Sequence, residues 1–299
     1  MDLTCWQSFI PENTPLSLVN IPGTHDSSTQ YVTLSPFSRC QGKNIFQQLE
    51  AGIRLLDIRL ELRDSEFYAV HGIADCRTSK KRKSPLLRFE DTFASCVNFL
   101  HQHPTETVII SLKMERGNNR DSFFPSFYNR YIEPNLKIWY LENRIPVMGE
   151  CRGKLVLMRR CDIGSTDKGF TDQQAGINFT KMTFADAVKN DLFLLCPFEQ
   201  LNGNPAAESA MIQDKYMLNP KAKWKKAVKA ALDNAEPDKS QIFINFLSTA
   251  GFPFLPVFNS RAVNSNFKKY ELKNKKAYGW IVTDFQTEEL NQKIIQSNF

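Results

Sequence analysis

Histidine is scarce in this chain: 299 residues carry four. No run approaches the ~20 consecutive apolar residues that span a bilayer as a helix. The longest apolar runs, at 108–112, 155–158 and 192–196, have the length of buried strands. Seven cysteines (Cys5, Cys40, Cys76, Cys96, Cys151, Cys161, Cys196) lie scattered without a CxxC pair. That spacing excludes a zinc ribbon and argues against a disulfide framework, so buried thiols in a reducing compartment are expected. The opening MDLTCWQSFIPEN has neither the basic nor the apolar region of a secretory signal. The expectation is a protein of the cytosol, or one exported by a non-classical route, acting peripherally on membranes. Internal repeats, low-complexity tracts and linkers are also missing, which points to one domain over residues 1–299.

What is present is an ordinary globular composition, 42% hydrophobic and 23% charged, enough to build a core. The net charge of +6 collects in SKKRKS (79–84), KAKWKKAVK (221–229) and KKYELKNKK (268–276). Any one such run is read first as a solvated face. Together they favour an anionic partner. No zinc finger or RNP motif accompanies them, so an acidic membrane surface is expected and nucleic acid is not.

Short runs rich in Ile, Val, Leu and Phe alternate with helical patterns. Strands are expected at 16–21, 52–60, 67–70, 107–112, 154–158, 210–213, 241–247 and 279–283. Their near-continuous apolar content suits parallel strands buried on both faces. Residues 91–101 place Phe93, Cys96, Val97 and Leu100 at helical spacing, and Pro104 stops them. Asn219-Pro220 reads as N-cap and first turn of a helix through Asp233, with Trp224 on its apolar face and lysines opposite. Eight strands in βα alternation predict a closed α/β barrel.

Chemistry in such barrels gathers at the C-terminal strand ends. There the sequence offers His25-Asp26, Asp57 and Arg59, His71, Lys113 and Glu115, Arg159-Arg160, Asp214 and Tyr216, and Asp284. Asp57 and Arg59, two apart, share one strand face. His101 and His103 close a helix whose terminus suits an imidazole, and carry no assigned role. That leaves His25 and His71, both at strand ends. A lone histidine of this kind is more often structural. Two of them, with aspartates and an arginine converging from neighbouring strands, favour catalysis. Imidazoles titrate near neutrality and supply a general base and a general acid. A guanidinium neutralises a phosphoryl oxygen through forked hydrogen bonds. The set suits metal-free, in-line attack on a phosphodiester. A cation two residues after Asp57 disfavours a metal there, and no cofactor is expected.

The stretches IPGTHDS, GIRLLDIR, VHG, HPTETVIISLKME, RGKLVLMRR, QDKY, FINFLS and GWIVTDF occur in this order over residues 16–290. As an ordered set they resemble the bacterial phosphatidylinositol-specific phospholipases C of the phospholipase C X-domain family. The resemblance implies a single distorted (β/α) TIM barrel. It also implies metal-independent cleavage of phosphatidylinositol to inositol 1,2-cyclic phosphate and diacylglycerol. Carried over, His25 is the general base and Asp284 its orienting carboxylate. His71 is the general acid with Asp26 as its partner. Arg59 stabilises the phosphate where metal-dependent relatives hold calcium, and Asp57 is its neighbouring carboxylate. Lys113, Arg160 and Asp214 bind inositol hydroxyls, and Tyr216 stacks on the ring. Of the adjacent Arg159 and Arg160, the second fits better.

The chain departs from some relatives in lacking a tryptophan-bearing membrane helix within TQYVTLSPFSRCQGK. The later TAGFPFLPVFNS carries Phe252, Phe254, Leu255 and Phe258 where the family has an apolar rim. Membrane contact and packing against barrel helices weigh evenly for these four. The expected partner is a phosphatidylinositol-containing membrane met transiently by a monomer. Three alternatives stand beside this reading. One is a metal-dependent glycerophosphodiesterase, disfavoured because the pairs here are His-Asp and Asp-x-Arg. Another is a catalytically silent inositol-lipid-binding barrel. The third is the same lyase acting on glycosylphosphatidylinositol anchors.

Overall fold

Leu55 and Leu56, Ile109 and Ile110, and Val156 and Leu157 are neighbours in sequence that enter different cores. That alternation organises the computed structural model, which describes residues 1–81, 83–164, 169–182, 191–204 and 207–299. Strands with apolar residues on both faces must be covered on both sides. One set of side chains fills the inside of a curled sheet. The other packs beneath the outer helices.

In chain order the strands are β1 (Ile21–Thr24), β2 (Leu55–Arg63), β3 (Glu66–His71), β4 (Ala74–Asp75), β5 (Val108–Arg116) and β6 (Trp139–Tyr140). They continue as β7 (Leu155–Arg159), β8 (Ile177–Asn178), β9 (Leu194–Pro197), β10 (Ser209–Gln213), β11 (Gln241–Phe246) and β12 (Trp280–Thr283). The sheet runs β6-β7-β5-β2-β1-β12-β11-β10-β9, with β8 also on β7. Pairing is parallel from β6 to β10, and β9 lies antiparallel on β10. This is a distorted α/β barrel. Among the described residues its hydrogen-bonded path stays open between β9 and the β6/β8 edge, so the expected closure is not seen.

Several further expectations are corrected. The first strand is not 16–21: Leu16–Leu18 forms a turn of 3-10 helix, and β1 begins at Ile21. Pro22 and Gly23 lie inside the strand, Pro22 opposite Ile281 and Gly23 opposite Val282. A Cβ on Gly23 would meet Leu55 at 2.9 Å, so glycine is required by this close approach. Next, 67–70 is not a barrel strand. It lies in β3, the antiparallel return of a hairpin from β2, turned at Asp64 and Ser65, both left-handed. Last, the helix Phe89–Gln102 buries Phe89, Thr92, Cys96, Phe99 and Leu100, a face rotated from the expected one, with Phe93 and Val97 half-buried. The helix after Asn219 forms as expected, its Asn219 side chain accepting from the Ala222 amide at 3.0 Å. Trp224 packs half-buried beside Tyr270. Lys223, read as polar-faced, is fully buried.

A buried ion pair ties the barrel's lower end. Arg54, just before β2, reaches Glu106, just before β5, at 2.8 Å, with both side chains fully buried. Arg54 also donates to the carbonyls of Leu3, Thr4, Leu49 and Ile53 and lies over the Phe99 ring at 4.5 Å. Glu106 accepts from the Gln7 amide. Every charge here is matched, so removing one partner strands the other. No described helix is long and apolar enough to cross a membrane. Of the basic runs, 79–84 includes residue 82, which lies outside the described residues. Lys229 and Lys268 pair with Asp233 and Glu289 on the surface.

Glu106→Ala is expected to lower unfolding stability by about 3–5 kcal/mol, because it leaves Arg54 buried and unpaired. Urea denaturation followed by circular dichroism measures this.

Candidate active site

The strand parity that sorts the two cores also aims the polar residues. Inner-core Ile21 is followed at +4 by His25, Leu55 by Asp57 and Arg59 at +2 and +4, and Val156 by Arg160 at +4. Ile109 leads to Lys113 and Glu115, Ile212 to Asp214, and Val282 to Asp284. Each strand therefore carries its inner face upward out of an apolar plug and ends in a charge. Arg159, one residue off this parity, is turned outward. It donates to the Ala175 carbonyl and lies against Phe124.

His71 arrives by another route. β2 runs beyond the barrel mouth and β3 returns alongside it, which sets His71 down near Arg59. His71 Nδ1 lies 2.8 Å from the Ser38 carbonyl, and its Nε2 lies 3.3 Å from Asp26 Oδ2. His25 Nδ1 lies 2.8 Å from Asp284 Oδ1, and its Nε2 lies 3.2 Å from the same Asp26 Oδ2. Two imidazoles thus share one carboxylate oxygen, their rings 6.2 Å apart and nearly perpendicular. Asp26 holds this place in a left-handed backbone conformation, which aspartate tolerates better than most residues. The Phe246 ring meets His25 edge-on.

Arg59 fills the space behind Asp26. Its Nε lies 3.0 Å from Asp26 Oδ1, and its Nη2 donates to Asp57 Oδ2 at 2.9 Å. Arg160 Nη1 donates to the other Asp57 oxygen at 2.9 Å. Glu115 lies 3.7 Å from Arg59 and 2.6 Å from Lys113 Nζ.

Burial drives the His25 imidazole toward neutrality, but Asp26 and Asp284 together prevail and raise its pKa to about 9. Burial lifts the Asp57 carboxyl, and Arg59 with Arg160 pull it well below the usual range. Glu115 is lowered to about 2, burial being outweighed by Arg59 and Lys113. Burial and the Arg59 charge lower Lys113 to about 8.

His25, His71, Arg59, Asp214, Tyr216 and Asp284 line one cavity of about 290 Å³. Lys113 and Arg160 line an adjoining cleft of about 280 Å³. Arg59 of the first and Glu115 of the second lie 3.7 Å apart. The donor atoms of His25, Asp26 and Asp57 lie within 4.8 Å of one another, a spacing that could take a metal ion. Arg59 holds the outer oxygens of both carboxylates, so a guanidinium already supplies the positive charge there.

Sequence reasoning missed three contributors. Gln41 donates to the His25 and Thr283 carbonyls at 2.8 and 2.9 Å, bracing the ends of β1 and β12. Cys40 and Phe37 line the cavity. All three lie between β1 and β2 in a segment without periodicity, and no local signal marks them.

The mouth is apolar. Phe252, Phe254 and Phe258 are 73%, 53% and 58% exposed, and Phe37 is likewise exposed. Packing does not claim these phenylalanines; Leu255 is half-buried at the start of the helix Pro256–Lys269. The loop is held from below. Asn259 donates to the carbonyls of Thr249 and Gly251, and the Ala250 amide donates to the Tyr216 carbonyl.

A profile of the family described as phosphatidylinositol-specific phospholipase C, X domain, matches residues 14–161. The chain is 25% identical to a 1-phosphatidylinositol phosphodiesterase of Listeria monocytogenes, over 98% of this chain and 84% of that one. It is 26% identical to a 1-phosphatidylinositol phosphodiesterase of Staphylococcus aureus (strain Newman), over 98% and 93%. The solved phosphatidylinositol-specific phospholipase C of L. monocytogenes has a TM-score of 0.75 at 24% identity and covers 100% of both chains. That of S. aureus has 0.78 at 22% identity, over 100% and 98%. At such identities the structural likeness establishes the fold.

In Asp284→Asn, loss of one carboxylate is expected to lower the His25 pKa from about 9 toward neutrality. An NMR titration of the imidazole resonances in both proteins reads the shift directly.

Proposed function

The chain belongs to the family of the phosphatidylinositol-specific phospholipase C X domain, and we propose that it cleaves phosphatidylinositol by metal-independent general acid–base catalysis. The observation that carries the mechanism is the sharing of Asp26 Oδ2 by two imidazole Nε2 atoms beside a buried guanidinium.

In its neutral form His25 takes the proton of the inositol 2-hydroxyl at Nε2. Asp284 on Nδ1 orients the ring and strengthens it as a base. The freed oxygen attacks the adjacent phosphorus. The bond from phosphorus to the diacylglycerol oxygen breaks, and His71 delivers a proton to that oxygen. The products are inositol 1,2-cyclic phosphate and diacylglycerol. Arg59 stabilises the charge that builds on the phosphoryl oxygens, and Asp26 and Asp57 hold its plane. Asp214 and Tyr216 on one side, Lys113 and Arg160 on the other, engage the inositol ring. Residues 1–299 act as one catalytic barrel, as a monomer.

The phenylalanines at the mouth are the surface that meets the lipid. Aromatic side chains on an anchored loop enter the acyl boundary at little ordering cost, while basic residues nearby favour anionic headgroups. Phe37, across the mouth from Phe254, extends this surface beyond the loop that the sequence marked.

Phosphorus NMR of the protein with phosphatidylinositol micelles in EDTA is expected to show a growing cyclic inositol phosphate resonance. Activity only on adding calcium overturns the role of Arg59; no product in either condition favours another substrate, such as a glycosylphosphatidylinositol anchor, or a silent lipid-binding barrel. His25→Ala and His71→Ala are each expected to lose about 10²–10⁴-fold in turnover with the fold intact. Replacing Phe252 and Phe254 together with Ser is expected to weaken vesicle binding while sparing turnover of a soluble inositol phosphodiester; equal loss of both argues for a packing role.

A further inference from the structure

Cys40 is the one cysteine that meets the reaction cavity among the described residues, and the mechanism makes no use of it. Its Sγ lies 4.0 Å from His71 Nδ1. Ligand atoms of Asp26, Cys40 and His71 all lie within 4.8 Å of one another, and so do those of His25, Cys40 and Asp284. We propose that Cys40, His71 and Asp26 form an inhibitory binding site for a soft divalent cation of the zinc type.

Donor chemistry and orientation carry the argument. Thiolate with imidazole selects zinc and its soft neighbours over calcium and magnesium, which take oxygen. The Ser38 carbonyl accepts from His71 Nδ1–H at 2.8 Å, so Nε2, 3.3 Å from Asp26 Oδ2, is the nitrogen that can exchange its proton for a metal. An imidazole whose far nitrogen is fixed by a carbonyl is the usual second-shell arrangement of a zinc-bound histidine. Arg59 engages Asp26 Oδ1, so the cation would bind Asp26 at Oδ2, in competition with the two imidazoles. His25 and Asp284 group with the same Cys40 sulfur. The third donor cluster, His25–Asp26–Asp57, has no thiol and is crossed by Arg59.

On binding, a zinc–sulfur bond forms as the Cys40 thiol gives its proton to the buffer; the metal keeps its charge and no oxidant is needed. A cation on His71 Nε2 removes the group that protonates the leaving oxygen, and the same cation draws Asp26 from both histidines. Zinc would therefore silence an enzyme that calcium and magnesium leave untouched. That zinc inhibits rests on the proposed reaction; that it binds does not.

The test uses the full chain, first stripped with chelator. Titration with Co²⁺ is expected to produce one equivalent of a near-ultraviolet thiolate-to-cobalt band, displaced by Zn²⁺. Cys40→Ser and Cys40→Ala are expected to lose this band, bind zinc at least tenfold more weakly, and keep basal turnover in EDTA. Two such variants guard against one that fails to fold. Micromolar zinc, but not millimolar calcium, is expected to inhibit the wild type and spare the variants. An unchanged cobalt band in both variants, or equal zinc inhibition of wild type and variants, overturns the proposal. Binding of zinc with the expected spectrum but no inhibition keeps the site and rejects the proposed role of His71.

Discussion

Carboxylates buried side by side repel one another and forgo their hydration, and the Arg59 guanidinium between Asp26 and Asp57 is what makes their company tolerable. Its planar fork reaches two acids at once, which a lysine's point charge does not do. Around it the charges close: the carboxyls of Asp26, Asp57, Glu115 and Asp284 face Arg59, Arg160, Lys113 and the His25 imidazole. Without Arg59, Asp26 could not sit at the crossing of two histidines.

From that crossing the functional logic follows outward. Asp26 meets both imidazoles through one oxygen, so the two rings are electrostatically linked. Asp284 adds a second carboxylate to His25 alone. The two histidines have the same reference chemistry and different neighbours, and a difference in environment is what divides acid from base in such sites. Glu115 holds Lys113 against the Arg59 field and connects the reaction cavity to the cleft that Lys113 and Arg160 line. The Tyr216 carbonyl accepts from Ala250 and Thr249, which ties the Tyr216 end of the cavity to the apolar rim.

The same sheet serves stability at its other end. Arg54 and Glu106 are sealed there as fully as Arg59 and Asp57 are above, yet the Arg54 donors are spent on Glu106 and four backbone carbonyls, and Glu106 accepts from the Gln7 amide and the Thr105 hydroxyl. Above, the histidine nitrogens and the Cys40 sulfur still face a cavity. The contrast separates a staple from a reactive site, although both are buried ion pairs.

Most of the fold and of the site was legible in the sequence because both obey a period of two. Apolar runs of four to nine residues marked most of the barrel strands, and Asp57 with Arg59, or Val282 with Asp284, kept the inward parity of the residues beneath them. Strand ends therefore name the charged groups from the sequence alone. Tertiary structure decided what periodicity does not encode. Pro-Gly is locally a turn dipeptide, and only parallel pairing with β12 on one side and β2 on the other makes Pro22 and Gly23 part of a central strand. His71 belongs to a hairpin that returns from β2, so its place beside Arg59 depends on left-handed turn residues rather than on barrel alternation. Cys40, Gln41 and Phe37 come from an aperiodic loop, and Lys223 is buried because its helix is pressed against Gln213. Local pattern determines which face of a strand a side chain takes. Long-range packing determines which side chains share a cavity, because that distance is set by residues far apart in the chain.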